Sequence, residues 1–278
     1  MQVSKAIRIW LEYHKSNSRD NTLKSYQVVL TRFDQEFGKR SMRDITSDET
    51  LLFLNRITEG RKQQTKRSRY AHLSALFNFI RNNIDHNLQN PCDTPMMKKL
   101  FRNISSAHWN TIEKETIDEV IFRTSRVRNR IMLELMARGG MRIGEVLKLR
   151  PMDINDRKLT LRGPKSGKEQ EHVFIPQKLA ERLKGYVKEN CTASDQRIFE
   201  ICYEAARSMV TKAGNQVGIK LRPHDLRRHA ATYASRSGVP VEIVSKVILR
   251  HANLSTTQRY LGKVSDAEAI KWIDNIYG

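Results

Sequence analysis

Between Ile7 and Ile80 the apolar residues recur at intervals of three and four, and this spacing restricts the first part of the chain to amphipathic helices sharing one core. Ile7, Trp10 and Leu11 belong to a first helix. Leu23, Tyr26, Leu30, Phe33 and Phe37 belong to a second, with Gly38 as its stop. Thr46 and Glu49 fit a capping box ahead of Leu51–Leu54 and Ile57, and Leu73, Leu76, Phe77 and Ile80 mark a fourth helix. Helices this short are marginal alone, so a small bundle is expected, with Trp10, Phe33, Phe37, Phe77 and Phe79 in or near its core.

The pattern breaks over His86–Asn110, which holds Pro91, Pro95 and several Asn residues. Beyond it, Ile131, Leu135 and Met136 mark a helix ending at Gly139-Gly140. Lys158–Gly163 and His172–Pro176 alternate as strands around a glycine-bearing turn, and helical spacing then continues to the C-terminus. The expected fold is mainly α with a small antiparallel β-sheet in the second domain, an α+β architecture. The expected divisions are residues 1–90, a linker at 91–110, and 111–278.

Lys and Arg number 50 against 30 Asp and Glu, a net charge of +20, which points to a polyanionic partner whose counterions are released on binding. Residues 1–107 carry 19 basic and 10 acidic side chains, so both parts of the chain are basic and two basic domains could embrace a duplex. The longest purely aliphatic and aromatic run is Leu51–Leu54, too short to cross a bilayer, and the first residues lack a signal peptide's apolar core. Cys92, Cys191 and Cys202 are odd in number and form no CxxC pair, so neither a disulfide framework nor a zinc site is expected. His14, His72, His86 and His108 have no partners at ligand spacing, and no metal site is assigned. A reducing, cytoplasmic, DNA-associated setting fits these features.

Arg61, Lys62, Lys66, Arg67 and Arg69 form the densest basic cluster, at the start of the fourth helix. Cations there repel one another and oppose the helix dipole, so the cluster is expected to meet DNA phosphates.

Four stretches of the second half bear chemistry: Gly139–Val146 (GGMRIGEV), Gly163–Lys168 (GPKSGK), Pro223–His229 (PHDLRRH) and Leu249–Tyr260 (LRHANLSTTQRY). In order they supply Arg142, Lys165, His224, Arg227, His251 and Tyr260. Phosphoryl transfer without metal needs such a set. Guanidiniums grip non-bridging oxygens bidentately, an acid protonates the leaving alkoxide, and a phenol serves as nucleophile. His224 and Arg227 fall three apart near a helix start, where an anion is favoured. GPKSGK lacks the spacing of a nucleotide-binding P-loop.

In these motifs the chain resembles the tyrosine recombinases of the phage-integrase and Xer type. The likeness covers the whole chain in layout and Thr111–Tyr260 in motifs. It implies a two-domain architecture, with a helical DNA-binding domain and a catalytic domain. It also implies that Tyr260 attacks the scissile phosphate to form a 3′-phosphotyrosine. Arg142 and Arg227 would clamp the phosphate, Lys165 would protonate the leaving 5′-oxygen, His224 and His251 would assist, and Glu145 would orient Arg142 or His224. No cofactor is implied. The implied partners are double-stranded DNA with paired recombination half-sites, a homo-tetramer acting through a Holliday junction, and accessory DNA-bending proteins. A last helix bearing Ile270, Ile273, Ile276 and Tyr277 either folds back onto its own domain or, as the resemblance implies, passes between neighbouring protomers.

Two positions depart from the family pattern. Arg250 stands where a glycine usually precedes the second histidine, and Arg228-His229 follows the HxLR box, making His229 a rival to His224. Lys168 is likewise a rival to Lys165. Two other functions compete: a DNA-binding relic without strand exchange, and a nicking-closing enzyme of the type IB topoisomerase kind.

Overall fold

In the computed structural model, which describes residues 1–102, 111–163, 170–191, 193–258, 261, 270 and 273–274, the first four helices lie where three- and four-residue spacing predicts them. The chain divides into two compact units, residues 1–107 and 108–278.

The first unit contains α1 (Val3–Asn17), α2 (Asp20–Phe37), α3 (Ser47–Ile57), α4 (Gln63–Asn83) and α5 (Pro95–Leu100). Its core is aromatic. Phe33 packs against Phe37, Phe53 and Phe77 at ring separations of 4.9, 5.1 and 6.0 Å. Thr46 caps α3 through the expected reciprocal bonds with Glu49. At the end of α2, a side chain on Gly38 would run into the Asp34 carbonyl and the Ser4 hydroxyl. Close approach, and not a left-handed backbone, requires glycine there.

Part of the expected linker is packed structure. Cys92, Met97 and Phe101 are buried in the first unit's core, and Phe101 stacks on Tyr70 with ring centroids 5.1 Å apart. Two of the polar residues in that stretch spend their side chains inside the fold. Asn90 accepts from the Cys92 amide at 2.9 Å and donates to Asn78 Oδ1 at 2.9 Å, while Thr94 caps α5 with Pro95 in its first turn.

The second unit contains α6 (Lys114–Arg123), α7 (Val127–Ala137), α8 (Ile143–Val146), β1 (Ile154–Asn155), β2 (Lys158–Arg162), β3 (Gln170–Phe174), α9 (Gln177–Asn190), α10 (Tyr203–Asn215), α11 (Pro223–Arg236), α12 (Val241–Ile243) and α13 (Leu254–Gln258). Every residue of α7 from Ile131 to Ala137 is buried. Its one acid, Glu134, is held by a fork from Arg182 at 2.6 and 3.1 Å. The sheet is antiparallel in the order β1-β2-β3. β3 begins two residues earlier than alternation indicated, and β1, only two residues long, left no alternating signal. Opposite Leu161 in the register stands Glu171, a buried carboxylate on the apolar face of β3.

Candidate active site

After α7 the chain turns at Gly140, whose φ of +59° lies in the left-handed region. A Cβ there would sit 2.9 Å from Ile248, so the turn packs directly against the wide helical turn at Val244–Ile248. This delivers Arg142 to the N-cap position of α8. Glu145, three residues on, accepts from the Arg142 amide at 2.8 Å and from its Nη1 at 2.5 Å. The oxygen of Glu145 that receives the amide also receives Arg250 Nη2 at 2.8 Å. Burial raises the Glu145 pKa, but Arg250 and Arg142 together outweigh it, and the net effect holds the carboxyl below its ordinary value.

Pro223 occupies the first turn of α11, whose missing amide costs the helix nothing there. Asp225 accepts from the Arg222 amide at 2.9 Å and from Arg228 at 3.0 Å. His224 and Arg227 thus leave one face of the helix start, as the three-residue spacing predicts. Arg227 is 1% exposed, and its two Nη groups donate to the carbonyls of Gly140 and Leu249. Arg142, Tyr203, Arg207, Arg222, His224 and Arg227 line a cleft of about 570 Å³. His224 is exposed at its mouth. Desolvation against the cleft wall, then Arg227, Arg228 and Arg142, lower its pKa.

His251 sits beside these groups. Its Nδ1 lies 2.9 Å from Thr257 Oγ1, which itself donates to Ser245 Oγ at 2.8 Å. Burial first, then Arg227, Arg142 and Arg250, push the imidazole pKa down to about 4. The rival His229 is buried elsewhere, with Nδ1 on the Ile112 carbonyl at 3.0 Å and its ring stacked on Tyr233. Arg250 has φ +52°, which explains why a glycine suits this position.

The structure therefore brings Arg142, Glu145, His224, Arg227 and His251 together around one cleft and its wall. Lys165, Lys168 and Tyr260 lie outside the described residues. Sequence reading missed Tyr203 and Arg207, one helical turn apart on α10 with no local signal. It also missed Arg222, whose place just before Pro223 was visible.

In the first unit, Arg61 and Lys62 precede α4, and Lys66, Arg67 and Arg69 occupy its first two turns, with no acid in the first. Arg69 donates to the Ser25 carbonyl at 3.1 Å. Burial, then Arg32 and Arg61, depress its pKa, so Arg32 of α2 extends the same positive patch.

Comparison with known proteins agrees with this geometry. The chain is 29% identical to the tyrosine recombinase XerA of Pyrococcus furiosus over 252 residues, covering 86% of this chain and 82% of that one. It is 27% identical to the tyrosine recombinase XerC of Staphylococcus aureus, covering 88% and 86%. Among solved structures, the Tn1549 transposon integrase in complex with transposon right end DNA superposes with a TM-score of 0.75 at 14% identity, covering 100% of both chains. A lambda integrase dimer bound to a core site gives 0.72 at 17%, covering 94% of this chain and 95% of that one. At such identities these two likenesses are of fold. The profile of the phage integrase family matches residues 110–266, more than half of the chain, and by that match the chain belongs to the phage integrase family of tyrosine recombinases.

Proposed function

We propose that this enzyme is a site-specific recombinase that cuts and rejoins double-stranded DNA at paired half-sites, as a homo-tetramer working through a Holliday junction, with accessory DNA-bending proteins where the site requires them. Integration or excision of a mobile element, or resolution of replicons, are the tasks such chemistry serves. The first unit binds DNA through Arg61, Lys62, Lys66, Arg67 and Arg69, and the second carries out the chemistry.

The phenol oxygen of Tyr260 attacks the scissile phosphorus, and the P–O5′ bond breaks as the Tyr–O–P bond forms. Lys165 gives its proton to the leaving 5′-oxygen, and the phenol proton leaves to solvent. Attack by a 5′-hydroxyl on the phosphotyrosine reverses these steps on a new strand, so the bond energy is conserved. Arg142 and Arg227 hold the non-bridging oxygens. Arg227 does so by exchanging its carbonyl partners for the phosphate, a stronger acceptor because it is charged. His224 hydrogen-bonds the phosphate, and His251 supports it from beside the two arginines.

The observation that carries this reading is the convergence of Arg142, His224 and Arg227 on one cleft at the start of α11, where their side chains line the same space. The DNA complexes known for similarly folded proteins, including XerH bound to palindromic difH substrate in a post-cleavage complex, support a duplex as partner.

The test begins with duplexes selected for binding from a random-sequence pool. Nicked forms of these should become covalently attached to the wild-type protein. Tyr260→Phe should bind equally and yield no attachment. Attachment by Tyr260→Phe would assign the nucleophile to another residue. Cleavage with relaxation of supercoils, but no exchange between two sites, would favour the nicking-closing alternative.

A further inference from the structure

Arg250 carries two unfavourable features at once. It holds a left-handed φ of +52°, which a side chain disfavours, and its guanidinium is withdrawn from water with 4% of the side chain exposed. Its partners offset both. Nη2 reaches Glu145 at 2.8 Å and the Gly140 carbonyl at 3.4 Å, and Nη1 donates to the Ile248 carbonyl at 2.8 Å. Nε faces Glu171 Oε2 across an ion-pair distance of 3.6 Å, and neither of these two buried atoms has a hydrogen-bond partner among the described residues.

Those acceptors are themselves parts of the site. Glu145 holds Arg142 by backbone and side chain. The Gly140 carbonyl holds Arg227. Glu171 belongs to β3, so the arginine also ties the sheet to the loop before His251. Arg227 donates to neutral carbonyls, whereas Arg250 faces two carboxylates, so its fork is committed to the protein.

We propose that Arg250 is a positioning residue: it fixes Glu145 and, through it, the guanidinium of Arg142, while neutralising Glu171 in the wall behind the cleft. The proposal builds on the recombinase reading above but concerns an order that exists without DNA. It differs from a phosphate contact, which would require the guanidinium to leave both carboxylates.

Arg250→Gly is compatible with the backbone, since glycine accepts this φ freely. It frees one side of Glu145 and leaves Glu171 buried without its cation. Arg250→Gly combined with Glu171→Gln removes that orphaned charge. Three quantities decide the matter: the Tm, the 15N relaxation of the Arg142 Nε–H in DNA-free protein, and single-turnover cleavage of a nicked duplex selected from a random pool by the wild-type protein.

The expected result is a lower Tm for Arg250→Gly that the added Glu171→Gln recovers. Arg142 should be mobile in both variants, and cleavage slower by on the order of 10²-fold in both, with duplex Kd within about threefold of wild type. Arg250→Lys, which keeps the charge and the backbone cost but cannot span the acceptors, should show the same loss of Arg142 order, and it serves if the glycine variant fails to fold. An Arg142 that stays ordered in these variants overturns the proposal, as does a duplex affinity that falls in step with cleavage. If the wild-type protein cleaves no selected duplex while Arg142 order is still lost on substitution, the positioning role stands and the recombinase reading falls.

Discussion

The arginines around the cleft differ in how they are held, and the difference sets what each can do. Arg142 keeps 25% of its side chain exposed and is braced by one carboxylate, so it can meet an entering anion without rearranging. Arg227 is buried with its two Nη groups on carbonyls, and in the proposed role it would exchange those partners first. Arg142→Lys keeps the charge but loses the planar fork. It should leave duplex binding nearly intact while lowering single-turnover cleavage of a nicked duplex by about 10²–10³-fold, the scale of losing one preorganised donor. Near wild-type cleavage would remove Arg142 from the chemistry. His251 gives a second test. Its folded pKa near 4 lies below the unfolded value of about 6.5, so below pH 6.5 the unfolded chain binds the extra proton. The contribution to stability is full above about pH 6.5 and is lost as pH falls toward 4. His251→Gln should therefore flatten the dependence of Tm on pH in that window relative to wild type; parallel curves would mean that His251 titrates normally.

At the level of elements, two helix starts receive opposite treatment. α11 opens with Pro223, which has no amide to satisfy, and with Asp225, whose carboxylate accepts from the Arg222 amide and sets a negative charge in its first turn. α4 opens with no acid and with Lys62 at its N-cap, so its basic cluster and the helix dipole add their positive potentials. Replacing Lys66, Arg67 and Arg69 together with Ala should weaken duplex binding. The slope of log K against log salt should become shallower by about 1 for each phosphate that the variant no longer neutralises. An unchanged slope, read from Kd at several salt concentrations, would place the DNA surface elsewhere. What sequence reading found and missed follows the same local logic. The Thr46–Glu49 box and the His224–Arg227 pair are relations between residues three apart, so spacing exposes them. α5 was hidden because prolines and asparagines read as breaks, although Asn90 spends its amide inside the fold. Tyr203, Arg207 and Glu171 reach the site or its wall only through tertiary packing, which no local pattern records. Arg250 was visible as a departure from a family motif, but its carboxylate partners Glu145 and Glu171 lie 105 and 79 positions away in sequence.

For the whole molecule, the proposed assembly on paired half-sites requires that one active site respond to the presence of another. Past α13 the chain carries Ile270 and Ile273, which are 61% and 56% exposed, with Trp272, Ile276 and Tyr277 nearby in sequence. Apolar side chains at this spacing need a surface to cover, and a segment of this kind can meet it on a neighbouring copy as readily as on its own unit. Exchange between protomers would link the segment that follows Tyr260 to the occupancy of the adjacent half-site, so that cleavage waits for assembly. Truncation after Val264 should then leave binding to a single half-site nearly unchanged, because the cleft and the basic start of α4 are intact. Cooperative filling of two half-sites, and recombination with it, should fail. Band-shift occupancy on duplexes with one and with two half-sites measures both quantities. Equal cooperativity in the full-length and truncated proteins would mean that the segment packs on its own unit and that assembly is signalled by other surfaces.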